Sequence, residues 1–316
     1  MHSSLFFKLF PPPKFLLMPH VGIDISDDAI SFVEYSRPVG ERLITKYAHV
    51  PLPVGVIEGG DVKDENQLIT ILAELVKEHG ISYAKVSIPE EKAYLFEAEV
   101  PYGDFRTISQ NIEFKLEENI PLSAADAVFA FDILTGENSR SWKASVSAVP
   151  RTYIEHMMEL FRGAGITPVS FETIPRAIAR VVSSSQEEDV LVVHTMKHKT
   201  GIYIVSQHAV GFTSTISVGS EEVNPASYTE TLAAEVARVN TYWFAKNEHV
   251  GSPIKKVVIV GHDAERVAGM LRTKLAEPLP VEVVDVWRGI FNTNHYVPPI
   301  LKEDSFEYAP AAGLAL

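Results

Sequence analysis

Few residues of this chain have both the type and the spacing for chemistry. Three carboxylates, Asp24, Asp27 and Asp28, fall within five positions. Such a group could hold a hard cation, which takes oxygen ligands. The same residues are also ordinary turn formers on a surface. His194 and His198 stand four apart, the spacing that puts two metal ligands on one helix face. They sit at the end of an apolar run, Val190-Leu191-Val192-Val193, that reads as a strand. The two rings would then not share a face, and two unrelated loop histidines are the plainer reading. Glu117 and Glu118 read as a solvated helix end rather than an acid pair. No G-x-S-x-G, Walker or H-E-x-x-H pattern occurs, and there is no cysteine. Disulfides, thiol nucleophiles, Cys-ligated zinc and iron–sulfur clusters are therefore excluded.

The elements that must position these side chains form a pattern that runs twice. Val21-Gly22-Ile23-Asp24-Ile25 reads as a buried strand, Ser26-Asp27-Asp28 as a turn and Ala29 to Tyr35 as the return strand of a hairpin. Residues 42–52 read as a third strand, ended by Pro51 and Pro53. Residues 64–79 have helical spacing, with Leu68, Ile71, Leu72, Leu75 and Val76 on one face and Gly80 at the C-cap position. A strand at 85–88 follows. A smaller α+β unit comes next: a strand at 93–100, a helix at 105–119 stopped by Pro121, a hairpin of 128–134 and 142–149 around Gly136-Glu137-Asn138-Ser139, and an amphipathic helix at 152–163. Residues 171–182 read as a helix leading into the polar run 183–188, the best candidate for a hinge. The strand–turn–strand pattern then restarts at 190–193 and 201–205, with His194 corresponding to Asp24. A long helix at 228–246, a strand at 257–260, a helix at 263–275 and a short strand at 281–284 complete the second copy, an α/β architecture. On the long helix, Leu232, Val236, Val239 and Trp243 share one face and read as core.

The 316 residues include 28 Lys+Arg and 41 Asp+Glu, a formal net charge of −13. That length suits two or three domains. The acidic balance argues against holding nucleic acid on a bulk basic surface. Hydrophobic residues make up 46% of the chain, which excludes wholesale disorder. The lack of cysteine fits a cytosolic protein. No apolar run reaches the ~18 residues that span a bilayer. Residues 1–19 carry two greasy blocks, at 5–10 and 15–18, broken by Lys8, Pro11-Pro12-Pro13 and Lys14. They are too short for a signal peptide. They read as an arm, packed on the protein's own surface or touching a membrane face or a membrane-bound partner.

Two hairpin-led halves with an α+β insert in the first resemble the actin-like superfamily. Within it the chain resembles the PilM family of type IV pilus assembly proteins. The resemblance rests on VGIDISDDAISFVEY (21–35), NIEFKLEENIPLSAADAVFAFDIL (111–134), SAVPRTYIEHMMELFRGAGITPVSFETIPRAIAR (147–180) and the terminal AAGLAL (311–316). Ile120-Pro121 after a helix and Asp132 in a strand are further marks of the family. The resemblance implies an α/β, actin-like (ribonuclease H-like) duplicated fold with an α+β insert of the 1C type, as in the division protein FtsA. The expected organisation is an arm at 1–19, a first subdomain (1A) at 20–90 and 169–183, the insert at 91–168, and a second half (2A/2B) at 184–316. It also implies a bacterial protein on the inner face of the cytoplasmic membrane. There it would grip the short N-terminal tail of PilN, and through PilN connect to PilO. The family places that tail in a groove beside the insert, where Phe96, Phe114, Ile120 and Pro121 are candidate contacts, each also readable as core. Self-association is compatible with this picture, and no nucleic acid enters it.

The resemblance also implies a place for ATP with magnesium, and the residues there have departed from the pattern. An actin-like ATPase uses two hairpin turns, each with an Asp for Mg²⁺ and a Gly that lets the backbone reach the phosphates. The first turn keeps Asp24 but has Ser26 for Gly, followed by Asp27 and Asp28. Two like charges ~4 Å apart repel by about 4 kcal/mol at an effective dielectric of 20, so carboxylates beside a triphosphate are costly. The second turn has His194 for Asp and Met196 for Gly, with Lys197, His198 and Lys199 filling the rest. The paired glycines of the adenosine motif are reduced to Gly261, followed by His262. Glu172 matches the glutamate that orients the attacking water in some actin-like ATPases. With these motifs damaged, the expectation is a fold without hydrolysis and either no cofactor or residual nucleotide binding. The alternatives are an active ATPase whose cycle drives assembly, and an FtsA-like membrane-linked polymer. The latter usually ends in an amphipathic helix, whereas this sequence stops at Ala315-Leu316, although the arm could substitute.

Overall fold

The computed structural model describes residues 20–36, 42–134, 141–182, 189–206, 208–222, 224–246, 254–275, 279–292 and 295–316. The arm, the candidate hinge and the turn at 136–139 lie outside the described residues. The chain divides into two compact units. One comprises residues 1–88, 156–181 and 285–316, the other 89–155 and 182–284.

The first unit is built on a five-stranded sheet. Strands β1 (Val21–Ile25), β2 (Ala29–Tyr35) and β3 (Ile44–Pro51) form an antiparallel meander, followed by the small hairpin β4 (Ile57–Glu58) and β5 (Asp61–Val62). Strands β6 (Tyr83–Ile88) and β10 (Thr167–Thr173) add in parallel on the other side of β1, giving the order β10-β6-β1-β2-β3. Every residue of β1 is buried, whereas edge strand β3 is half-buried along its length. Helix α1 (Glu65–His79) starts where Asp64 accepts a hydrogen bond from the Gln67 amide at 2.9 Å. It ends where Gly80, at φ +63°, donates back to Val76 O. These caps are worth about 1 kcal/mol each. The helix buries Leu68, Leu72 and Leu75, each contributing roughly 2 kcal/mol.

The second unit repeats the sheet. Strands β11 (Val190–Thr195), β12 (Thr200–Ser206) and β13 (Ala209–Ile216) are antiparallel, and β14 (Lys256–Gly261) and β15 (Val281–Val283) add in parallel. The order is β13-β12-β11-β14-β15, that of the first sheet. Helices α5 (Pro225–Lys246) and α6 (Ala264–Lys274) belong to this repeat. The same unit holds a three-stranded sheet of order β7-β9-β8, made of β7 (Tyr94–Pro101), β8 (Ala127–Leu134) and β9 (Ser141–Pro150). Helix α2 (Phe105–Asn119) packs on it through Ile108, Ile112 and Leu116, one face at i, i+4, i+8. Helices α3 (Arg151–Gly163) and α4 (Ile174–Val182) complete the middle of the chain.

Three expectations change. Residues 171–173 are the end of β10, not the start of a helix: Glu172 pairs with Ser87 and Thr173 with Ile88 before α4 begins. Strand β13 closes the second sheet, a strand the sequence pattern did not single out. Residues 285–316, placed by sequence with the second half, belong to the first unit. The reason is close packing of the short helices α7 (Lys302–Ser305) and α8 (Ala309–Ala315), α8 being buried throughout. A Cβ on Gly22 would overlap Ala311 O and the Ala315 amide, and one on Gly313 would overlap Ala177 O. Glycine at both positions lets α8 lie directly on β1 and α4.

Candidate functional site

The two hairpin turns have one backbone frame. In the first, Ile25 pairs with Ile30 and the Ser26 amide donates to Ala29 O at 3.0 Å. In the second, Thr195 pairs with Thr200 and the Met196 amide donates to Lys199 O at 3.0 Å. Asp24 therefore corresponds to His194 and Ser26 to Met196, position for position.

In the first turn Ser26 closes the loop on itself. Its hydroxyl donates to Ala29 O at 3.1 Å and accepts from the amides of Asp28 and Ala29, the local competition with backbone that favours serine in turns. Asp27 turns to the β4–β5 hairpin, where its two oxygens accept from the amides of Gly59 at 3.0 Å and Gly60 at 2.9 Å. Asp24 is buried in β1. Asp27 thus serves the neighbouring hairpin rather than forming a carboxylate cluster with Asp24 and Asp28. Among the described residues, no group of three or more His, Asp or Glu could hold a metal ion.

The second turn is held differently. Met196 is buried, and its carbonyl accepts from the Ser220 amide at 2.9 Å and the Ser220 hydroxyl at 3.2 Å. Lys197 O accepts from the Glu221 amide at 3.0 Å. The Lys197 ammonium lies 3.7 Å from the Glu221 carboxylate, and His262 Nε2 lies 3.4 Å from the same group. Gly219 approaches so closely that a Cβ there would overlap Lys197 O. The segment 219–222 thus covers the carbonyls of this turn and brings acid to its basic residues. Arg266 anchors the segment by donating to Ser220 O, and also pairs with Asp263 at 2.8 Å. Gly261 has φ +99°, and a Cβ on it would overlap Thr195 O. That carbonyl accepts from the His262 amide at 2.8 Å. Here glycine is required by the strand contact itself. The structure brings His194, Met196, Lys197, Gly261 and His262 together within this unit.

His194 is buried, with Nδ1 3.3 Å from Tyr203 Oη. Burial, reinforced by the nearby Lys199 charge, pulls its pKa down to about 3, so the ring is neutral at physiological pH. Tyr203 donates to Glu90 Oε1 at 2.9 Å, and Thr215 reaches the same oxygen at 3.4 Å. Glu90 lies in a short 3-10 turn, Glu90–Lys92, ahead of β7. Its neighbour Glu91 pairs with Lys199. Sequence reasoning missed Glu90, Glu91 and Tyr203. One local sign was present: Gly201 opposite His194, where a Cβ would come within 2.8 Å of Glu90 Oε1 and overlap the Tyr203 hydroxyl.

Glu172 sits at the end of β10 and is buried. Arg180 Nη2 donates to both of its oxygens, at 2.6 and 2.7 Å, and Arg176 Nε lies 3.4 Å away. Arg180 also donates to Gly313 O at 2.9 Å. A carboxylate gripped by two guanidiniums is a poor acceptor for a water proton, and this one ties β10 to α4 and α8.

The four candidate partner contacts separate. Ile120 is core, packed with Leu116, Ala127 and Ala148, and Phe96 packs against the same cluster. Pro121 is exposed, and Phe114 is 84% exposed on α2. Further aromatics of this module reach solvent, among them Phe105, stacked on Phe131 at 5.2 Å, and Tyr102, edge-on to Trp142 at 4.9 Å.

Two sheets of one order, each opened by a hairpin of one register, with a small α+β module added, define a duplicated actin-like fold. The family model for the type IV pilus assembly protein PilM matches residues 22–226, and the chain belongs to that family. Among solved structures, a PilM–PilN type IV pilus biogenesis complex is 18% identical, covering 94% of this chain and 97% of that one, with a TM-score of 0.77. The cytoplasmic domain of EpsL, an inner-membrane component of the Vibrio cholerae type II secretion system, is 14% identical over 92% and 93%, with a TM-score of 0.49. The ethanolamine utilization protein EutJ of Carboxydothermus hydrogenoformans is 14% identical over 97% and 90%, with a TM-score of 0.48. No curated protein sequence matches the chain. No described helix is long and apolar enough to cross a membrane.

Proposed function

We propose that this protein is a scaffold of the type IV pilus assembly platform, on the cytoplasmic face of the inner membrane. It would hold the N-terminal tail of a PilN-like membrane protein and connect through it to a PilO-like one. Family membership supports the pilus role, and the likeness to a PilM–PilN complex supports the PilN-like partner. The scaffold reading, as against an ATPase cycle, is carried by the second turn. There a buried methionine, Met196, stands where glycine would let the backbone reach a phosphate. Within the second unit, the Glu221 carboxylate lies against Lys197 and His262 and so takes up the positive charge a phosphate would need. Tail binding is assigned to the exposed aromatics of the small module, Phe114 foremost, because Ile120 and Phe96 are occupied by its core.

Calorimetry on the full chain tests both halves. A synthetic PilN-like tail peptide should bind, and Phe114→Glu should weaken it at least about tenfold, the loss of one well-placed aromatic anchor. Absence of tail binding would overturn the partner assignment. Magnesium ATP and ADP should give no binding heat up to about millimolar concentration; micromolar binding would overturn the scaffold reading.

A further inference from the structure

Within the second unit, the small sheet is fastened to the larger one by several side chains. Ser145 of β9 donates to Val210 O at 2.6 Å, and Glu97 of β7 pairs with Lys246 at 3.0 Å. A further fastening is the 3-10 turn Glu90–Lys92, just ahead of β7. Its Glu91 pairs with Lys199 of the second hairpin turn. Its Glu90 is buried against β12 and β13, where the hydroxyls of Tyr203 and Thr215 both reach Oε1, at 2.9 and 3.4 Å. The other oxygen, Oε2, is also buried, and no hydrogen-bond partner meets it. That asymmetry makes the two charge states of Glu90 unequal. Neutral, the carboxyl leaves one uncharged polar position without a partner, a modest cost. Ionised, it places about half a negative charge on an oxygen that no donor reaches. A buried charge left without a partner is far more costly than a buried dipole.

We propose that the turn Glu90–Lys92 is a latch, closed on β12 and β13 while Glu90 is protonated and opened locally when Glu90 ionises, so that water reaches Oε2. The element is built to open at small cost. It is a single turn with two backbone bonds of its own, from the Lys92 amide to Pro89 O at 3.0 Å and from the Ala93 amide to Glu90 O at 3.1 Å. Opening breaks no strand pairing, because β7 begins only at Tyr94. Only one proton leaves, from Glu90 to solvent. The latch does not rest on the scaffold reading.

The groups that face Glu90 set the range in which it works. On its own turn are Glu91 and Lys92; from the hairpin turn comes Lys199, from β12 Tyr203, from β11 His194 behind Tyr203, and from β13 the non-titrating Thr215. Burial first, then the Glu91 charge, push the Glu90 carboxyl up to about 7, against the weaker pull of Lys199, its own amide and Tyr203. A group raised in the closed state favours closure below its ordinary value and loses that contribution as pH rises through about 7. His194, its pKa pulled down by burial, stays neutral throughout this range.

Amide hydrogen exchange on the full chain tests the latch, expressed as protection relative to the unfolded chain so that the intrinsic pH dependence of exchange cancels. Protection of residues 90–93 should fall at least about tenfold between about pH 5.5 and 8.5, with the midpoint of the Glu90 carboxyl read by ¹³C NMR. At pH 8.5 their exchange should barely respond to low urea, the mark of a local opening, whereas exchange in β14 should accelerate with it. Glu90→Gln should keep residues 90–93 protected across the whole range. Protection that does not change with pH in the parent, exchange at 90–93 that follows urea as steeply as β14, or a fall that persists in Glu90→Gln would overturn the proposal. The first two outcomes need no variant to fold.

Discussion

At the two hairpin turns the backbone is the same and the side chains carry opposite charge. Ser26-Asp27-Asp28-Ala29 closes with its own hydroxyl and lends a carboxylate to the hairpin beside it. Met196-Lys197-His198-Lys199 closes with the same amide bond but is covered by residues 219–222 and tied to Glu91. The difference extends behind the turns. Opposite Asp24 stands Ser31, bonded to His49 Nδ1 at 2.8 Å; opposite His194 stands Gly201, which makes room for Tyr203 and Glu90. At the next equivalent pair, Gly22 admits α8 and Val192 fills a core. Sheet pairing has preserved the duplication, while each turn has acquired its own side-chain contacts. A repeat is thus maintained by its ladder of backbone bonds and not by the chemistry at its loops.

Alanine at the equivalent positions 22 and 192 probes that contrast most severely. Gly22→Ala should cost about 3 kcal/mol or more through overpacking against α8. Val192→Ala should cost about 2 kcal/mol through a cavity. Urea unfolding distinguishes them, and equal costs would break the comparison. The buried acid behind the second turn gives the next effect. The folded-state value of Glu90, about 7, lies above its ordinary 4.5. Its neutral form is therefore the stabilising one. That contribution is full below the ordinary value and lost as pH rises through about 7. Glu90→Gln, neutral at all pH, should match the parent in acid and exceed it by about 3 kcal/mol above neutrality. A constant offset from acid to alkaline pH would remove the buried acid from the account. The smallest effect sharpens the first turn: Asp27→Ala leaves the Gly59 and Gly60 amides to water and should cost about 1 kcal/mol. Its signature is faster amide exchange at those two glycines.

Local chemistry made much of the frame legible. The β-branched runs at 21–35 and 190–205, each broken by a polar turn, gave the hairpins and their correspondence. Asp64 and Gly80 marked both ends of α1. What failed was set by distant partners. Phe171-Glu172-Thr173 continues the alternation of Thr167 and Val169 but also leads directly into the helical spacing of α4, and pairing with β6 settles these residues as strand. Nothing near residue 310 says that α8 lies on β1. The core role of Ile120 depends on Ala127 and Ala148, contributed by a different sheet position. At the site, the degenerate turns were legible as residue types. Their coverage by 219–222 and the contact of Glu90 with Tyr203 link positions remote in sequence, which periodicity cannot register.

The seating of α8 on β1 also sets an order of events when the chain is made. All of the second unit, ending at 284, leaves the ribosome before the residues that complete the first. Strand β1 is synthesised long before the helix that covers Gly22. During that interval its hairpin exposes apolar surface that other chains or chaperones can meet, the usual consequence of very non-local contacts.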